Sequence, residues 1–208
     1  MPKKYMKDFE NQQWDSSAID GVILDLSNME KVCTYEQIID LYAYCLVHEL
    51  SFHIQSLPAQ LIKDKKLWNI PEEKRKEQAQ RAQLELVFPI ERSFSTWNDL
   101  KQSAFRSSFH LNKKLIAYAR KKGMETLMAH ALLLLEPRLF VPVLKNDGKQ
   151  TPMKGHPVFV AQHATATCCR GCLEKWHHVP KERKLTAKEK QEVLMLQKEW
   201  IEKELERI

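Results

Sequence analysis

Hydrophobic positions in this chain recur mostly at helical spacing. From Thr34 to Leu57 the residues Ile38, Ile39, Tyr42, Cys45, Leu46, Leu50 and Leu57 repeat as one face of a helix, with Thr34 and Gln37 in the form of a capping box and Pro58 limiting its run. A second helix is predicted over 71–87, where Pro71 suits a first helical position, acids fill the first turn, and Ala79, Ala82, Leu86 and Val87 turn inward. Ahead of both, GVILDLS at 21–27 is a short apolar alternation that fits a strand or an extended arm.

The second half repeats the theme. Thr96 and Asp99 form an N-terminal cap before the stripe Trp97, Leu100, Ala104 and Phe105. A helix follows from Asn112, and Gly123 is placed as its left-handed C-cap. Residues 125–139 are apolar on nearly all sides, which makes them core, and His130 inside them reads as a hydrogen-bonded core histidine. The chain closes on an amphipathic helix opened by Thr186 and Glu189, with Val193, Leu194, Leu196, Trp200, Ile201, Leu205 and Ile208 on its apolar side. The fold class expected is therefore mainly α, a helical protein of two modules.

Charge divides the chain in the same place. Residues 1–91 carry 11 Lys+Arg against 15 Asp+Glu, and residues 92–208 carry 22 against 12, so an acidic module precedes a basic one. The junction falls near Phe88 to Phe94. The N-terminal residues lack the apolar core of a secretory signal, and no apolar run approaches the ~20 residues of a membrane span. With five cysteines, reduced thiols in a cytoplasmic setting are expected in place of a disulfide framework.

Two histidine patterns need separating. HELSFH at 48–53 imitates a metalloprotease motif, but His48 and His53 are five apart. Five positions on a helix turn about 500°, so the two rings cannot share one ion, and a Glu49–His53 pair at i, i+4 is the expected outcome. The stretch 145–178 is different, for it holds three of the five cysteines and four of the eight histidines. Its loop, with Lys149, Lys154 and His156, runs into Pro157 at an expected helix start, which makes an anion site. Cys169 and Cys172 form a CxxC, Cys168 adds a third sulfur, and His163 and His177 lie close by in sequence. That donor set suits tetrahedral zinc. Three other chemistries stay open: small core residues on one continuous 157–176 helix, a thiolate nucleophile beside His163, and a CxxC redox pair.

WxxLxxSxFRSxFxL at 97–111, the block from Asn146 to His177 and the LTxxE start of the last helix together resemble a small family of conserved bacterial domains of unknown function. The resemblance spans about 95–203, implies a domain boundary near its start and brings no established activity.

These observations favour a metal-binding module, zinc first, that engages an anionic ligand, most readily nucleic acid. Residues 92–184 carry 17 Lys+Arg against 6 Asp+Glu, interleaved with aromatics. The candidate metal ligands are Cys168, Cys169, Cys172, His163 and His177; the candidate anion contacts are Lys149, Lys154, His156, Arg170 and Lys175. The alternatives are a zinc- or cysteine-dependent hydrolase with His163 as general base, acting on a phosphate- or carboxylate-bearing substrate, and an adaptor whose acidic N-terminal module docks a protein partner.

Overall fold

The computed structural model describes residues 21–29, 31–142, 144 and 146–207. The polar N-terminal segment before Gly21, and Ile208, expected on the apolar side of the last helix, lie outside the described residues. The chain divides into two compact units, Met1–Ile90 and Glu91–Ile208.

The first unit is mixed α/β, which corrects the expectation of a mainly helical module, while the strand read at 21–27 forms over Gly21–Asp25 as β1. Its order is β1 (Gly21–Asp25), β2 (Cys33–Thr34), α1 (Tyr35–Val47), β3 (Ser51–Ser56), β4 (Gln60–Lys63), β5 (Lys66–Asn69), α2 (Glu72–Ala82) and β6 (Glu85–Leu86). One sheet has the order β1-β3-β6, with β1 parallel and β6 antiparallel to β3; the other has the order β2-β4-β5. Gly21 is required where β1 meets β3, because a Cβ there would sit 2.9 Å from the Ser51 carbonyl oxygen. Asp64 and Lys65, both at positive φ, make the two-residue turn between β4 and β5.

The helix expected over 34–57 ends at Val47. Its start is as predicted: the Thr34 side chain accepts from the Gln37 amide and the Gln37 side chain accepts from the Thr34 amide. Beyond it, Glu49 turns to positive φ, and Phe52, Ile54 and Ser56 are buried while His53 and Gln55 are exposed. A period of two, satisfied by backbone bonds to β1, overrides the helical spacing. His48 and His53 are thus not on one helix. His53 faces Glu85 on β6 at 3.6 Å, so the expected Glu49–His53 helical pair does not form.

The second unit is helical: α3 (Trp97–Leu100), α4 (Ala104–Ser107), α5 (Lys113–Lys122), α6 (Met124–Leu135), α7 (Pro157–Ala164), α8 (Arg170–His177) and α9 (Ala187–Glu206). α9 packs on α5, α6 and α7 and buries Val193, Leu194, Leu196, Trp200 and Ile201, its predicted apolar side. Gly123, at φ 78 and ψ 161, both closes α5 and opens α6; its extended ψ differs from the left-handed cap expected there. Buried Glu192 on α9 accepts from the Ser93 and Phe94 amides and the Ser93 hydroxyl, at 2.7, 2.8 and 2.5 Å, tying the unit's first residues to its last helix. Among the described residues, no helix is long and apolar enough to cross a membrane.

Candidate metal centre

The cysteines sit at a corner. α7 begins at Pro157, and its N-cap His156 accepts the Val158 amide on Nδ1. At the other end the Thr165 hydroxyl donates to the Ala161 carbonyl, and fully buried Ala166 takes a positive φ. The helix therefore stops, and a continuous 157–176 helix is not what forms. Below the corner, Gln162 donates to the Thr167 carbonyl and Gln197 of α9 to the Thr167 hydroxyl, at 3.1 and 2.9 Å. These buried amides fix the turn that brings Cys168 back toward α8.

α8 then starts at the CxxC itself. Cys169 is the N-cap, and its sulfur accepts the Cys172 amide at 3.2 Å. The Asp147 carboxylate accepts the other two first-turn amides, from Arg170 at 2.8 Å and Gly171 at 2.9 Å. Gln150 and Thr151 both donate to the Cys168 carbonyl, at 3.2 and 2.7 Å. The loop read from sequence as an anion site is thus a clasp around the cysteine corner. Its own acid fills the positive end of α8.

The result is one tight group: the Cys168, Cys169 and Cys172 sulfurs all lie within 4.8 Å of one another, with Cys168 and Cys172 at 3.4 Å. Tetrahedral zinc with ~2.3 Å bonds to sulfur separates its ligands by about 3.8 Å, so small side-chain rotations suffice to converge on one ion. Cys168 and Cys169 are buried and Cys172 is half-buried. A fourth group reaches in from α4: Arg106, 5% exposed, donates through Nη2 to the Cys172 sulfur at 3.2 Å, and through Nη1 to the Cys168 sulfur at 3.8 Å and the His163 carbonyl at 2.6 Å. Hydrogen bonds from Cys168 and Cys169, and then the Arg106 charge, pull the Cys172 thiol down to about 2. The same bonds to Cys169 and Cys172, with burial, push Cys168 up. The three thiols titrate together, with Cys172 favoured to carry the negative charge beside Arg106.

The two expected histidine ligands stand outside this group. His163 stacks on Phe109 with centroids 5.2 Å apart, and its Nε2 donates to the Pro152 carbonyl at 3.2 Å. His177 stacks on Phe94 and donates from Nε2 to the Thr165 carbonyl at 2.9 Å. Cys172 and His177 are five apart on α8, so the rotation that separates His48 from His53 in a helix separates this pair in fact. Burial lowers the pKa of both histidines and so disfavours their charged form.

The expected anion contacts scatter. Arg170 is buried, and its Nη2 donates to the carbonyls of Pro180, Lys181 and Arg183, so it holds the 180–183 connection in place of a ligand. His156 caps α7, with Nε2 3.2 Å from Nδ1 of His130; His130, expected as a hydrogen-bonded core histidine, is only partly buried and has this partner. Lys149, Lys154 and Lys175 are exposed. Sequence reasoning missed Arg106 and Asp147, the two groups that organise the thiols. Nothing in their spacing betrays them, because the contacts span 66 and 24 positions.

Residues 94–202 match the sequence profile of a family described as domain of unknown function (DUF4186). No solved structure matches the chain.

Proposed function

Since the chain belongs to this family of unknown function, we propose that its C-terminal unit works as a metal-binding module, with Cys168, Cys169 and Cys172 as thiolate ligands of one thiophilic divalent ion, zinc first. The observation that carries this reading is the convergence of three sulfurs within 4.8 Å at a corner built by clasp, cap and buried amides. Three sulfur donors select soft or borderline ions over magnesium or calcium. The local frame is fixed before any ion arrives, which lowers the ordering cost of binding.

Elemental analysis of protein purified with zinc present tests it. One ion per chain is expected in the wild type, with loss of that ion in Cys169→Ser and Cys172→Ser. A wild type that takes up none overturns the reading.

An anionic partner, nucleic acid first, is supported by the charge balance of residues 92–184. In that reading the metal centre is a structural staple, and exposed Lys149, Lys154 and Lys175 supply phosphate contacts. Affinity for an oligonucleotide that falls steeply with added salt is the expected result; affinity indifferent to salt counts against it.

A further inference from the structure

The three thiols account for only part of what is gathered at this corner. Arg106 is a nearly buried cation whose hydrogen-bond partners, among the described residues, include no carboxylate. Its guanidinium meets one carbonyl oxygen and two sulfurs. A charge taken that far out of water is ordinarily paired. Among the described residues, the groups within hydrogen-bond reach able to carry the opposite charge are the sulfurs of Cys172 and Cys168.

The same pairing would hold in the metal-bound centre. Three thiolates around a divalent ion carry one net negative charge, and one guanidinium cancels it. The other ionised groups near the corner are engaged elsewhere. Asp147 holds the α8 amides, Glu192 holds Ser93 and Phe94, Lys181 pairs with Glu174, and Arg170 holds the 180–183 carbonyls. Arg106 also has its position fixed independently. The Ser103 side chain caps α4 by accepting the Arg106 amide, and Nη1 is anchored on the last turn of α7 through His163.

We infer that Arg106 is the outer-sphere partner of the metal centre, a positioning residue that holds the Cys168 and Cys172 sulfurs toward a common ion, neutralises the centre and, through N–H···S bonds, draws electron density from the metal–sulfur bonds. This rests on the metal reading proposed above. Outer-sphere groups of this kind typically change metal affinity by about 10- to 100-fold, and they leave a spectroscopic trace that a scaffold contact does not.

The test uses the full chain with cobalt(II) as an optical probe and zinc competition for affinity, in wild type, Arg106→Gln and Arg106→Lys. Expected in Arg106→Gln are one cobalt per chain at saturation, a sulfur-to-metal charge-transfer band moved to longer wavelength, and zinc bound roughly 10- to 100-fold more weakly. Arg106→Lys, which keeps the charge and an N–H donor, should fall between. If the glutamine variant does not fold, the band in the lysine variant carries the test. An unmoved band together with wild-type zinc affinity in the variants overturns the inference while leaving the metal centre standing. A wild type that binds neither ion overturns the centre and this inference with it.

Discussion

The carboxylate of Asp147 accepts the Gly171 amide at 2.9 Å across 24 positions of chain, and through its other oxygen the Arg170 amide at 2.8 Å. An acid at that point satisfies two donors that a helix N-terminus otherwise leaves open, and it sits favourably in the helix dipole. Asp147→Ala is expected to lower unfolding free energy by about 1–2 kcal/mol and Asp147→Asn by about half of that, measured by urea denaturation. The same two variants should loosen the cysteine corner and weaken metal uptake in the same order.

Metal binding should register as stability. Zinc held at a hundred times its dissociation constant adds about 2.7 kcal/mol to a folded state that alone binds it. For the C-terminal unit a rise of several degrees in thermal midpoint is expected on adding zinc, reversed by a chelator. The rise should vanish in Cys172→Ser, where the metal-free midpoint is the comparison.

His156 makes acid sensitivity predictable. Its Nδ1 accepts from the Val158 amide, so its proton is on Nε2, directed at His130. Burial, and then His130, hold its pKa down to about 4, against an ordinary 6.5. The unfolded chain therefore takes the proton first. Stability from this group is complete above about pH 6.5, declines as pH falls through the window to 4, and is flat below it. A loss of about 2 kcal/mol across that window, allowing for the partly exposed ring, is expected by urea titration. Burial depresses His163 and His177 in the same direction, so the informative quantity is the slope removed by His156→Asn, which preserves a capping side chain.

Glu192 gives a prediction free of metal. Its oxygens accept from two amides and a hydroxyl in a nearly water-free site. Glu192→Gln keeps the shape but replaces one acceptor with a donor facing donors. A destabilisation of about 2–3 kcal/mol is expected, read from chemical denaturation, together with earlier proteolysis near Ser93. An unchanged midpoint would show that this contact does not hold the start of the unit.

What was legible in the sequence was whatever is written locally. The capping boxes at Thr34, Thr96 and Thr186 all form, the helix expected from Asn112 starts there, and Pro157 takes the first position of α7. The apolar part of the buried face of α9, from Val193 to Ile201, follows from its periodicity, whereas buried Glu192, Gln197 and Glu204 do not, and Leu205 is only half-buried. Illegible was whatever depends on a distant partner. Phe52 and Ile54 fit a strand only once β1 is known to lie alongside, and the Asp64–Lys65 turn lacks the Asn-Gly signature that would announce a hairpin. Cysteines were found as a group because three of them fall within five positions. The histidines were assigned to them on proximity alone, and ring stacking on Phe94 and Phe109 shows why proximity misleads. In the loop that carries Lys149 and Lys154, the residues that hold the corner, Asp147, Gln150 and Thr151, have no local signature.

The buried amides of Gln162 and Gln197 meet at Thr167, one on its carbonyl and one on its hydroxyl. That junction ties the cysteine corner to the longest helix of the unit, so the corner has no inexpensive way to breathe by itself. Backbone amide protons at 167–169 should trade with deuterium on the slow schedule of α9, and a reagent for thiols should reach half-buried Cys172 before the buried Cys168 and Cys169.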